Sequence, residues 1–176
     1  FSMAYDDKAV FGMPAFSNLV YDITLNKIIT VEEQKAIEKE EIAKMKTNSE
    51  ASLERYVKEN GFEKRTASGL YYKFEKENNG KVPSVGSVVK MKFDAKVLDG
   101  QELGSTEQLG GSYEITYGET QVLAGFKEGV GMMTVGDKAT FVLPYYLAYG
   151  ANPYNNIPAF SNIIFDIEVL DITFPK

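Results

Sequence analysis

One stretch, Val122 to Phe165, leaves this chain little choice of fold, because helix, strand, loop and strand follow one another there with their apolar faces aimed at one place. Val122, Leu123, Phe126 and Val130 recur at roughly helical spacing, and Gly129 and Gly131 are expected to end that helix within about three turns. Val135, Gly136 and Asp137 read as a turn. Ala139, Phe141 and Leu143 then alternate with polar or outward positions until Pro144 stops the ladder. A loop rich in Tyr, Gly, Asn and Pro follows, after which Ile163, Phe165, Ile167 and Val169 alternate with Asp166 and Glu168. Strands with one buried face need a cover, and the short apolar helix supplies it.

The segment upstream has the same character. Leu70, Tyr72 and Phe74 alternate with Tyr71, Lys73 and Glu75 before Asn78-Asn79-Gly80 and Pro83 break the run. Val89, Met91, Phe93, Ala95 and Val97 alternate strictly with Lys90, Lys92, Asp94 and Lys96, giving one wet and one buried face, and Asp99-Gly100 turns that strand. Tyr113, Ile115 and Tyr117 alternate again before Gly118. At least five strands with one short helix make the fold class α+β, an antiparallel sheet curled over a helix.

Taken in order, QVLAGFKEGVGMM, VGDKATFVLP, LAYG and IPAFSNIIFDIEVLDI, with VVKMKFDAKVLDGQELGST upstream, closely resemble the FKBP-type peptidyl-prolyl isomerases over about Leu70 to Ile172. The resemblance implies an isomerase domain at residues 62–176. A lone AYG would be a weak signal, but the ordered series is specific.

An internal repeat precedes this domain. MAYDDKAVFGMPAFSNLVYDITLNKI, Met3 to Ile28, aligns without a gap on LAYGANPYNNIPAFSNIIFDIEVLDI, Leu147 to Ile172, with Pro14 to Asn18 repeating Pro158 to Asn162. Residues 1–28 are therefore expected to be the tail of a preceding lobe of the same kind, and the opening FSMAYDD suggests a piece of a longer precursor. Leu19, Tyr21, Ile23 and Leu25 alternate, and an unpaired strand of that kind would be a sticky edge. It is expected to pair with the isomerase lobe's sheet or with a second chain, which would give a homodimer. Residues 29–61 are rich in charge and look helical. Thr30 with Glu33 forms a candidate capping box, Thr47 with Glu50 a second start signal with a break nearby, and Asn60-Gly61 a stop. The segment reads as a solvated linker, with a partner-binding helix as the other reading.

Composition excludes much. With 19 Lys plus Arg against 25 Asp plus Glu the net charge is −6, which argues against a nucleic-acid partner. The chain has no His and no Cys, so imidazole catalysis, thiol chemistry and metal sites of the usual His or Cys type are ruled out, a Glu-only metal site is a weak guess, and no cofactor is implied. No apolar run approaches the length of a membrane helix. Absent Cys leaves either redox compartment open, and the habits of tandem relatives point to an exported or periplasmic location.

Prolyl isomerisation needs none of the missing groups. Rotation about an amide costs about 18–20 kcal/mol because resonance is broken, and the twisted state carries less charge separation than the planar one. An apolar, water-poor pocket with a hydrogen-bond donor therefore favours it. By resemblance, the pocket is walled by Phe93, Leu103, Tyr113, Val122, Leu123, Tyr149, Ile157 and Phe165, with Phe126 as floor and Tyr149 as hydroxyl donor. On periodicity alone the same residues are ordinary core of a curled sheet. The chain departs from the family pattern at Phe93 (commonly Tyr), Leu103 (Phe), Phe126 (Trp), Gly104 (Asp) and Leu109 (Arg), which keeps the site apolar and removes much of its polar rim. Asn152, Tyr154 and Asn155 are candidates to replace rim contacts. The implied function is isomerisation of X-Pro bonds in proline-containing polypeptide clients. The alternatives are a non-catalytic peptide-binding or chaperone module and a scaffold without an open groove.

Overall fold

The computed structural model describes residue 24 and residues 28–176, so the repeat from Met3 to Ile28 lies outside the described residues apart from Thr24 and Ile28. The chain divides into two compact units, Phe1–Glu38 and Lys39–Lys176. Among the described residues no helix is long and apolar enough to cross a membrane.

The second unit is built on an antiparallel sheet of β1 (Lys64–Arg65), β2 (Tyr71–Lys76), β3 (Val88–Val97), β4 (Glu102–Ser105), β5 (Tyr113–Thr116), β6 (Lys138–Leu143) and β7 (Ile163–Thr173). The order is β1-β2-β6-β7-β3-β4, with β5 also on β3. The spine is β3 against β7, paired from Val88 with Thr173 to Val97 with Ile163. Its register follows from the alternation: Val89, Met91, Ala95 and Val97 are buried while Lys92, Asp94 and Lys96 are exposed, so a one-residue slip would place lysines in the core. At the β6 entry, Asp137 is buried with both carboxylate oxygens satisfied. The backbone N–H of Thr134 donates to Oδ2 at 2.6 Å and that of Asn78 to Oδ1 at 2.7 Å.

The short helix α2 (Ala124–Val130) lies against this sheet and ends at Gly131 as expected, while Gly129 does not end it. Gly131 caps the helix at φ −64°, ordinary right-handed backbone, and Gly129 lies inside the helix. What they allow is close approach. A Cβ on Gly125 would come within 2.6 Å of Leu143 Cγ, one on Gly129 within 2.9 Å of Phe141 Cδ1, and one on Gly131 would collide with the Tyr117 hydroxyl. Gly125 and Gly129 are four apart and so share a helix face, which seats α2 directly on β6.

The charged segment is one continuous helix, α1 (Val31–Glu59). Its capping box is formed: Thr30 N–H donates to Glu33 Oε2 at 2.8 Å and Glu33 N–H to Thr30 Oγ1 at 3.1 Å. The expected break near Thr47 is absent, because the Thr47 hydroxyl donates to the Ala43 carbonyl at 3.0 Å and satisfies itself within the helix. Gly61, at φ +67°, ends it, with Phe62 N–H bonded to Val57 O and Gly61 N–H to Lys58 O. Residues 31–48 are solvated as a spacer would be. The last turns are not: Leu53 and Val57 are buried with Val142 and Ile164, so this part of α1 covers the outer face of β6 and β7.

Candidate active site

The inner faces of β3, β4 and β7, the α2 N-terminus and the loop after β6 enclose a cavity of about 410 Å³. Phe93 and Ala95 of β3, Leu103 and Gly104 of β4, Tyr113 of β5, Phe165 of β7 and Val122, Leu123 and Phe126 around α2 line it, with Tyr149 at one side. Eight of the nine residues expected there thus share one wall. Ile157 is not on it: at 7 % exposure it belongs to the hydrophobic core.

Alternation explains why the aromatic rings meet. Phe93 points inward from β3 and Phe165 from β7, two strands that are hydrogen-bonded neighbours, and α2 delivers Phe126 beneath them. The Phe93 ring packs edge-on against Tyr113, Phe126 and Phe165 at centroid distances of 5.7, 5.9 and 6.0 Å, and Phe126 lies 5.0 Å from Phe165. Rings locked edge-to-face present a rigid, apolar surface. Phe126 is 4 % exposed and forms the floor.

The rim opposite is held to β3 by the buried Thr106. Its backbone N–H donates to Phe93 O at 2.9 Å, and its Oγ1 accepts from Phe93 N–H at 3.1 Å. This brings Ser105, Gln108 and the exposed Leu109 to the cavity mouth. Ser105, Gln108 and Ala95 are wall residues that reading the sequence missed. For Ala95 a signal existed, since it follows Phe93 by two on the same face of β3. For the two polar residues the periodicity carried none. Gly104 has φ +148°, a backbone that side-chain-bearing residues rarely adopt, at a register shift between β3 and β4.

Tyr149 follows a 3₁₀ turn, Tyr145–Leu147, and its ring stacks on Tyr154 at 4.8 Å and an interplanar angle of 10°. Tyr154 is supported by a tight pair of backbone hydrogen bonds with Ile157, at 3.0 and 2.9 Å, so Ile157 shapes the loop that carries the stack. Burial pushes the Tyr149 phenol above its ordinary 10.0, and the neighbouring Tyr154 hydroxyl adds to the effect. The phenol therefore keeps its proton at neutral pH and can act as a hydrogen-bond donor over an apolar floor.

Known proteins share this architecture. The family model for the FKBP-type peptidyl-prolyl cis-trans isomerase matches residues 80–170, more than half of the chain. A probable FKBP-type peptidyl-prolyl cis-trans isomerase FkpA of Neisseria meningitidis is 34 % identical over 156 residues, covering 85 % of this chain and 55 % of the relative. The FkpA of Aeromonas hydrophila is 34 % identical over 156 residues, 88 % of this chain and 55 % of the relative. The chain thus spans about half the length of these curated relatives. The crystal structure of FkpA from Escherichia coli superimposes with a TM-score of 0.67 at 25 % identity, covering 81 % of this chain and 70 % of that one. An antiparallel sheet curled over one short helix, the ring-lined cavity and these matches agree, and the chain belongs to the FKBP-type peptidyl-prolyl cis-trans isomerase family.

Proposed function

We propose that this chain catalyses cis-trans rotation of X-Pro bonds in polypeptide clients and serves as a folding helper. The observation that carries the reading is the cavity of about 410 Å³ with a floor and walls of Phe126, Phe93 and Phe165 and the Tyr149 phenol at its side. A proline ring enters such a cavity with little polar loss, because Ser105, Gln108 and the phenols of Tyr113 and Tyr149 are its few polar side-chain groups. Water leaves the amide on entry, and the less charge-separated twisted amide gains relative to the planar one. Tyr149 donates to a substrate carbonyl, Leu103, Tyr113, Val122 and Leu123 grip the ring's flanks, and no covalent intermediate is formed. In this reading residues 62–176 are the isomerase lobe, residues 29–61 its linker and residues 1–28 the remnant of a preceding lobe. The test is exchange spectroscopy on a short X-Pro peptide: added protein should speed cis-trans interconversion well beyond its uncatalysed tens of seconds.

One observation favours a second reading, a peptide-binding module without catalysis. Gly104 leaves the rim without a carboxylate and Leu109, 60 % exposed, leaves it without a cation. Line-broadening of the peptide's signals without faster exchange would select this reading over the first.

A homodimer through the N-terminal strand is proposed on the repeat alone, since Met3 to Ile28 copies a strand that pairs on both edges in the isomerase lobe. Light scattering should report a dimer that becomes a monomer when residues 1–28 are deleted. A monomer before deletion would remove the proposal.

A further inference from the structure

The Pro158 to Asn162 block, singled out by its repetition, does not line the cavity, yet its backbone and side chains connect α1 to the segment that carries Tyr149. Two chains of hydrogen bonds start at Ser49. In the first, Asn162 Nδ2 donates to Ser49 O and Oγ, both at 2.9 Å, while Asn162 Oδ1 accepts from the Tyr145 N–H at 2.9 Å. The Tyr145 carbonyl then accepts from Ala148 N–H at 3.0 Å and Gly150 N–H at 2.8 Å, the two residues that flank Tyr149. In the second, the Ser49 hydroxyl donates to Phe160 O at 2.6 Å, and Phe160 N–H donates to Gly150 O at 3.0 Å.

Both chains therefore end on the peptide units beside Tyr149. Asn162 is 3 % exposed with its amide engaged on both sides, so it has little freedom to reorient without leaving a buried polar group unpaired. Phe160 is buried at φ +60°, a conformation a bulky residue takes only when its surroundings impose it. The bond from Ser49 to its carbonyl and the packing of its ring 5.1 Å from Tyr145 are constraints of that kind.

We propose that Ser49 of α1 is a positioning residue for Tyr149: through Asn162 and Phe160 it latches the Tyr145–Gly150 turn, so that docking of α1 sets the aim of the phenol. The inference rests on the isomerase reading for its catalytic consequence. A helix outside the cavity thereby becomes part of the machinery, and whatever lifts α1 from the sheet loosens the site.

The test is made in the full chain with Ser49→Ala and Ser49→Thr. Alanine is the better helix former, so α1 persists without the hydroxyl, and threonine restores it. In Ser49→Ala the amides of Gly150 and Phe160 should exchange with solvent faster and the Tyr149 ring resonances should shift. X-Pro isomerisation should fall about two- to tenfold, the scale of the one hydrogen bond that a misaimed Tyr149 no longer gives the substrate. Ser49→Thr should restore all three. Unchanged loop amides and ring resonances in Ser49→Ala overturn the latch, and so does a loosened loop with an unchanged rate. If the unmutated chain does not isomerise the peptide, the isomerase reading fails, and the amide and ring signals with their rescue still decide whether Ser49 positions Tyr149.

Discussion

Restoring the family's rim carboxylate by Gly104→Asp looks from sequence like a way to raise activity, but the backbone reverses that expectation. An ordinary Gly→Ala change at a compatible φ stabilises by about 0.4–1 kcal/mol through the unfolded chain. At Gly104 φ is +148°, beside a register shift between β3 and β4, and a side chain there carries strain of about 1–3 kcal/mol. Space is not the difficulty. The nearest atom to an added Cβ is Gln108 Oε1 at 3.8 Å, an ordinary contact, so steric collision adds nothing. Gly104→Ala and Gly104→Asp should therefore lose similar stability, read as a lower urea midpoint at unchanged m-value. Any relaxation of the strain moves β4, and with it Leu103, off the cavity wall, so Gly104→Asp should not isomerise faster than the unmutated chain. A neutral or stabilising Gly104→Ala, or a faster Gly104→Asp at full stability, would refute the reasoning.

Three further outcomes follow from the site. Tyr149→Phe should lower isomerisation about two- to tenfold while the urea midpoint stays near that of the parent, since one hydrogen bond to a neutral carbonyl is lost. Phe126→Ala should cost about 3–5 kcal/mol in urea unfolding, because a ring 4 % exposed and packed on Phe93 and Phe165 leaves a void that merges with the cavity. The raised pKa of Tyr149 means that the folded chain keeps a proton the unfolded chain releases. Its contribution is fully present below pH 10.0 and is lost as pH rises through the folded value, so stability should fall less steeply above pH 10.0 in Tyr149→Phe than in the parent.

The sheet was legible because its longer strands obey a period of two with few exceptions, and β3 needed only its alternation of apolar with charged residues to fix both register and buried face. The misread helix shows where that logic stops. Residues 29–61 read as a solvated linker throughout, yet Leu53 and Val57 in its last turns bury against Val142 and Ile164. Those two stand at outward positions of β6 and β7, where a sheet with one wet face would carry polar residues. The apolar surplus on the outer face was thus a readable sign of a second cover. Gly129 misled for a related reason: a glycine that ends a helix, as Gly131 does, and one that admits a neighbouring ring are the same letter, and only Phe141 marks Gly129 as the second kind.

The site was harder to read than the sheet because its decisive residues stand where periodicity ends. Phe93 and Phe165 could be placed on the inner face by counting, but not the partner of either. Tyr149 lies in a loop whose shape depends on Asn162, thirteen positions on, and on Ser49, a hundred positions back. No local rule links a serine in a charged helix to a tyrosine over an apolar floor, and the resemblance to a family supplied the tyrosine without its supports. The repeated Pro-Ala-Phe-Ser-Asn block was the one visible trace of those supports. Its Phe and Asn are constrained by bonds to α1 rather than by contact with a client, so a block that looked like part of a strand's approach is better understood as the joint between the helix and the site.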